Sequence, residues 1–223
     1  MSVLAGIDHS LPYTAVVMVR ENGDNARSYP LPAGYHYAVF TPEDEEKWVR
    51  LQAEVTHVES LRQGRELFRQ EFLQAGEDVP CWECPGYRDV VERTVLVKDE
   101  EDRLVGAATL WMGDTFGAVW QRVHWVAVAP DHQGKGLAKC MLSRMLELYR
   151  ELDCRSPIYL TTQTRTYRAA RVYAQMGFAP YMGGKPVNWP FRSDLPQNTF
   201  EEENQAAWDL IRQKLAEAGL SIP

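Results

Sequence analysis

Long apolar runs are missing from the 223 residues of this chain. The longest, such as Ala15 to Val19 and Leu104 to Met112, fall well short of the roughly 18–20 residues that span a bilayer, so no membrane helix is expected. The segment Met1 to Pro12 lacks a basic region ahead of an apolar run and carries Asp8 instead, which reads as no secretion signal and a cytoplasmic location. Cysteine is scarce, and in that setting Cys81, Cys84, Cys140 and Cys154 are expected as reduced thiols rather than a disulfide framework. Cys81-x-x-Cys84 has the spacing of half a metal site, but no second pair follows and no histidine lies at a fitting distance, so no metal is expected. Blocks of Lys and Arg are absent too. With 24 basic against 31 acidic residues the net charge is −7, a sign that excludes nucleic acid as a partner and favours cationic or amine partners.

What is present describes a globular chain: 45% hydrophobic and 25% charged, long enough for one large domain or a domain with an appendage. No internal repeat or low-complexity tract breaks it up. Residues 1–34 read as an N-terminal arm, with valine-rich Tyr13 to Arg20 as an edge strand and Glu21 to Asn25 as a turn. After the break Pro30 to Gly34, the aromatic-rich run Tyr35 to Phe40 is a strand. Thr41 then caps a helix with Pro42 and three acids in its first turn, and Trp48, Leu51, Val55 and Val58 form its apolar face. A second helix is predicted over 65–74, closed by Gly76. Cys81 to Asp89 reads as a loop. Thr94 to Lys98 and Leu104 to Trp111 form a hairpin about an acidic turn, and Trp120 to Ala129 is a third strand.

A long helix carries Ala138, Met141, Leu142, Met145, Tyr149 and Leu152 on one side. Ile158 to Thr162 is a further strand, and Tyr167 to Met176 a helix capped by Gly177. This order implies an α/β chain of the mixed α+β kind, helices packed on a mixed sheet. Residues 182–223 form an irregular crossing and then an amphipathic helix with Trp208, Ile211 and Leu215 on one stripe, which packs on the core or on a second subunit as in a homodimer.

The strongest local signal is Gln133-Gly134-Lys135-Gly136-Leu137-Ala138, between an apolar strand and an amphipathic helix. Glycines at 134 and 136 allow a tight turn whose N–H groups face an anion at the positive helix end. The dinucleotide fingerprint needs Gly-x-Gly-x-x-Gly and the nucleotidase loop needs Gly-Lys followed by Ser or Thr, and neither fits. On these residues alone a plain strand-to-helix turn accounts for the segment equally well.

The wider run His124 to Leu142 resembles the acyl-coenzyme A signature of the GCN5-related N-acetyltransferases. Their Arg/Gln-x-x-Gly-x-Gly/Ala pattern falls on Gln133, Gly136 and Ala138, and a second family feature falls on Ala169, Tyr173, Gly177 and Phe178. The resemblance covers residues 35–181 and implies a mostly antiparallel sheet that splays between two parallel strands, flanked by helices on both faces. It further implies acetyl-coenzyme A as cosubstrate. Val126, Ala127 and Val128 would meet the pantetheine arm. Gln133, Gly134, Lys135, Gly136, Leu137, Ala138 and Lys139 would hold the pyrophosphate, with the two lysines either adding charge or simply solvated. Thr162 and Thr166 lie beside the coenzyme, Thr166 standing where many relatives have asparagine and able to cap its helix.

Tyr173 matches the position whose hydroxyl protonates the departing thiolate. Histone-acetylating relatives place a glutamate where Arg122 stands, so the base falls to His124, two residues on and on the same strand face. Trp82, Trp111, Trp120 and Trp125 are expected around the sheet, mostly in the core, and Glu54, Glu59 or Asp114 are candidates for holding a cationic acceptor. The reading is an N-acetyltransferase acting on a small primary amine, such as a polyamine, amino acid derivative or aminoglycoside-like amine, by direct attack in a ternary complex. A protein lysine or N-terminal acetyltransferase, and a non-catalytic acyl-coenzyme A sensor, stay open as alternatives.

Overall fold

The computed structural model describes residues 6–24, 26–56 and 58–222. Met1 to Ala5 of the leader reading, and Asn25 at the end of the expected turn, lie outside them. The elements follow as β1 (Ala15–Arg20), β2 (Tyr35–Ala38), α1 (Asp44–Val55), α2 (Leu61–Phe68), α3 (Tyr87–Arg93), β3 (Thr94–Asp99), β4 (Leu104–Gly113), β5 (Trp120–Val128), α4 (Leu137–Glu151), β6 (Ile158–Gln163), α5 (Tyr167–Gln175), β7 (Ala179–Pro180) and α6 (Gln197–Glu217). The strand order is β2-β3-β4-β5-β6-β1-β7, mostly antiparallel with β5 and β6 as a parallel pair, and helices flank the sheet. Among the described residues no helix is long and apolar enough to cross a membrane.

The chain divides into two compact units, and β4, β5 and α4 contribute residues to both. The first comprises residues 28–110 and 125–148. In it β2, β3 and β4 form the antiparallel ladder that the alternating apolar runs predict, with Tyr35 opposite Asp99 and Thr94 opposite Thr109. Its helical core is aromatic: Trp48 packs on Phe68 at 4.7 Å and on Phe72 at 5.8 Å between ring centroids, and Phe40 stacks on Phe68. Helix α1 starts at Asp44, and Thr41 does not cap it. The buried Asp44 carboxylate instead accepts from the Thr41 amide (3.0 Å) and hydroxyl (2.9 Å) and pairs with Lys98 at 3.2 Å. Burial raises this carboxyl, but these bonds outweigh burial and leave its pKa below the ordinary value.

Helix α2 begins earlier than expected because Ser60 accepts from the Gln63 amide, an N-cap the periodicity alone does not reveal. It passes into one π turn, Arg69–Leu73, and ends on Gln74 at φ +56°. Gly76 is therefore not the cap. Its carbonyl accepts from the Arg69 guanidinium at 2.6 Å, and the same guanidinium binds the Val79 carbonyl and both oxygens of Glu45. The expected loop 81–89 holds a short 3-10 turn and the start of α3. Trp82, expected near the sheet, is 60% exposed.

The second unit comprises residues up to 27, 111–124 and 149–223. Here β1 is not an edge strand. It pairs along its whole length with β6, and Met18 and Val19 pair with β7 on its other side. Its Val16, Val17 and Met18 are all buried, as suits a strand covered on both faces. The parallel pairing of β5 and β6 is short, Gln121 opposite Ile158 and Arg122 opposite Tyr159. Helix α5 closes as expected on Gly177 at φ +84°, with the Phe178 amide returning to the Tyr173 carbonyl. Helix α6 starts four residues earlier than expected, directly after Pro196, and packs against α5 and β1 with Trp208, Ile211 and Leu215 fully buried.

Candidate active site

The glycine-bearing segment follows β5 through a 3-10 turn, Pro130–His132, and opens α4. Gly134 and Gly136 have φ of +74° and +85°, conformations that side-chain-bearing residues adopt only under strain. A Cβ at either position would meet nothing within 4 Å, so backbone conformation and not crowding calls for glycine. The Lys139 and Cys140 amides return to the Gly136 carbonyl, while the amides of Gly134, Lys135, Gly136, Leu137 and Ala138 have no protein acceptor among the described residues. Five consecutive free donors at the positive end of a 15-residue helix fit a multiply charged anion such as a pyrophosphate.

Side chains brace this segment. Gln133 donates its amide to the Val128 carbonyl at 2.9 Å, which ties the loop to the end of β5, and Leu137 is buried beneath it. Lys135 donates to the Tyr35 hydroxyl at 3.0 Å, which also meets His132 Nδ1 at 2.9 Å, and Lys139 sits 5.6 Å over the Tyr29 ring. Both lysines thus lie against aromatic rings. On β5, Ala127 is buried and Val126 and Val128 are half-buried.

Between His124 and Val126 the strand breaks its regular conformation. Trp125 has φ +50°, which for a bulky residue costs on the order of 1–3 kcal/mol. Its surroundings hold it there. Gln52 Nε2 donates to the Trp125 carbonyl at 3.0 Å, the indole Nε1 donates to Glu71 on the π turn at 2.8 Å, and the ring packs edge-on to Trp48. A single sequence carries no mark of such a break, and Trp125 was expected only among the tryptophans around the sheet.

In the second unit Tyr173 lies on α5, its ring edge-on to Phe178 at 6.4 Å. Burial pushes its phenol up to about 12, and the hydroxyl has no protein partner among the described residues. The Thr166 hydroxyl bonds the Thr162 hydroxyl at 2.8 Å and the Gln163 carbonyl, and does not cap α5. The Arg122 guanidinium reaches the Thr161 hydroxyl at 3.4 Å and lies 5.9 Å from the Tyr159 ring centroid. His124 is half-buried two residues further along. Of the acidic candidates, Glu54 and Glu59 are exposed and Asp114 accepts from Asn188 at 3.0 Å. Burial and the nearby Glu45 carboxylate push Cys81 up to about 12, so its free thiol stays protonated at neutral pH.

A strand broken at Trp125, then a glycine turn whose free amides open a helix, sit in a mixed α/β fold and offer a place for an anion. The sequence profile described as the acetyltransferase (GNAT) family matches residues 61–178, more than half of the chain, and the chain belongs to that family. It is similar to the L-amino acid N-acyltransferase MnaT of Escherichia coli strain K12, 30% identical over 102 residues, 43% of this chain and 58% of that protein. It is also similar to the spermidine N(1)-acetyltransferase of Vibrio cholerae, 29% identical over 92 residues, 40% of this chain and 51% of that protein. The matches thus span little more than half the length of these relatives. Among solved structures, a GCN5-related N-acetyltransferase from Sphaerobacter thermophilus shares the fold with a TM-score of 0.54 at 18% identity, over 75% of this chain and 48% of that one. A tandem GNAT protein from the clavulanic acid biosynthesis pathway gives 0.50 at 16%, over 79% and 52%.

Proposed function

We propose that this protein transfers the acetyl group of acetyl-coenzyme A to the primary amine of a small molecule by direct attack. The observation that carries the reading is the row of free amides from Gly134 to Ala138 in a chain of this family. Those amides bind the pyrophosphate, and Lys135, held by Tyr35, and Lys139 add positive charge beside it. The backbone of Val126 and Val128 bonds the pantetheine arm as an added strand would. The neutral amine attacks the thioester carbonyl, the carbon–sulfur bond breaks, and the thiolate leaves.

Tyr173 hydrogen-bonds that leaving sulfur, and a phenol raised to about 12 remains a donor at any physiological pH. His124, whose ordinary pKa lies near neutrality, accepts the proton the amine sheds. Cytoplasmic residence and a small-molecule acceptor are part of this reading, and the two curated relatives, which act by name on L-amino acids and spermidine, support the acceptor class. The test is release of coenzyme A from acetyl-coenzyme A against polyamines, aminoglycosides, amino acids and lysine peptides. Release that depends on a small amine and is lost in Tyr173→Phe supports the proposal. Coenzyme binding without release from any amine moves the assignment to a sensor, and release with lysine peptides alone moves it to protein acetylation.

A further inference from the structure

The second unit contains a cleft of about 250 Å³ that the family-matched segment does not build. The rings of Tyr13, Trp189, Phe191 and Phe200 line it together with Arg192 and Glu203. Trp189 holds the aromatic group together, 5.0 Å from Phe191 and 5.4 Å from Phe200 between centroids. Phe191 and Tyr13 are 40% and 45% exposed, and the Arg165 guanidinium lies 5.9 Å from the Tyr13 ring centroid.

The register fixes which sheet face this cleft occupies. Residues directly opposite in a ladder share a face, so Ala15 goes with Gln163, Val17 with Thr161 and Val19 with Tyr159. Ala15 and Val17 belong to the same buried cluster as Tyr159, Trp189 and Phe200. Arg122 stands opposite Tyr159 and touches Thr161, which puts Arg122, and with it His124, on that face as well. Ala15 borders the cleft and pairs with Gln163, the last residue of β6, so the cleft opens beside the carboxyl end of that strand.

Its chemistry narrows the occupant. Among the described lining residues the carboxylate is that of Glu203, bound through both oxygens by Arg192 at 2.9 and 3.1 Å, so this part of the wall is charge-balanced. A polyamine tail gains nothing there, whereas an uncharged ring does. A void of about 150 Å³ accepts benzene, so the 250 Å³ here suit one ring and a short linker.

We propose that this cleft receives the apolar body of the acceptor, making the preferred substrate a primary amine with an aromatic or bulky aliphatic group. The assignment rests on the acetyl-transfer reading above and names its substrate class. It selects against the cationic acceptors that the net charge of −7 favours.

The test compares 2-phenylethylamine, ethylamine and putrescine as acceptors of the full chain, with Phe191→Ala and Phe191→Leu as variants, since Phe191 is too exposed to be needed for folding. Burying one ring is expected to raise kcat/KM for 2-phenylethylamine at least about tenfold over both other amines. Phe191→Ala should reduce that preference severalfold, and Phe191→Leu should retain most of it. A preference for putrescine or ethylamine, or an equal loss for all three amines in Phe191→Ala, overturns the assignment. If no amine releases coenzyme A, the transfer reading itself fails. Calorimetric titration of 2-phenylethylamine then decides the cleft alone: binding weakened by Phe191→Ala upholds it, and absent or unaltered binding overturns it.

Discussion

The loop at the start of α4 and the residues around Tyr173 are built from different materials. In the proposed reading the loop binds through main-chain amides, freed by two glycines whose absent side chains would have met open space. In the proposed mechanism the chemistry falls instead to individual side-chain atoms, the Tyr173 phenol and the His124 imidazole. A backbone device tolerates most side-chain changes at its own positions and fails only when φ becomes unattainable. A side-chain device tolerates backbone-neutral changes nearby and fails on loss of one atom. On the proposed function the first kind would set how tightly a cosubstrate is held, the second how fast it reacts.

The largest effect that would sharpen this division is Tyr173→Phe, which should lower kcat by about 10²–10⁴ while the dissociation constant of acetyl-coenzyme A stays within twofold, measured by calorimetry. The wild-type kcat should show no descending limb from this phenol below about pH 10, since its pKa is raised to about 12 and the protonated form persists. A parallel loss of affinity in the variant would break the division. Next comes Gly136→Val, which forces a β-branched residue to φ +85° and should weaken coenzyme A binding by roughly 30- to 100-fold, with kcat at saturation nearly unchanged.

Glu71→Ala removes the indole partner of Trp125 and should cost about 1–3 kcal/mol of unfolding free energy in urea, because the strained strand then loses its bond to the π turn. Smallest is Lys135→Ala, which should weaken coenzyme A binding by only about fivefold and mainly at low salt, since the amides remain in place. A collapse of binding in that variant would mean that side chains, not backbone, make the cradle.

Much of the fold was legible because its signals are local. The hairpin of β3 and β4 follows from alternation about an acidic turn, and the cap at Gly177 from the need for positive φ. The glycine loop was readable for the same reason, as backbone conformation restricts the residue type directly. The failures are tertiary. Gly76 looks like a helix end, but Gln74 takes the left-handed position while Arg69 captures the Gly76 carbonyl. Thr41 looks like a cap, but Asp44 accepts from it. Pro85-Gly86 looks like a loop, although Gly86 is there because a Cβ would lie 1.8 Å from the Phe72 carbonyl oxygen, and α3 starts immediately after it. The Trp125 bulge and the contact of Tyr35 with Lys135, 100 residues away, exist only once separate segments meet. The aromatic cleft was illegible for the same reason, since Tyr13 and Trp189 have no relation in sequence.

The interior position of β1 has a consequence for how the chain comes to be folded. Thr14 and Thr164 bond to each other across 150 residues, so this valine-rich strand emerges from the ribosome long before either neighbour exists. Its half of the sheet must wait for the last third of the chain, a high-contact-order closure that is slow by nature. Until then an unpaired apolar strand is open to association with other chains.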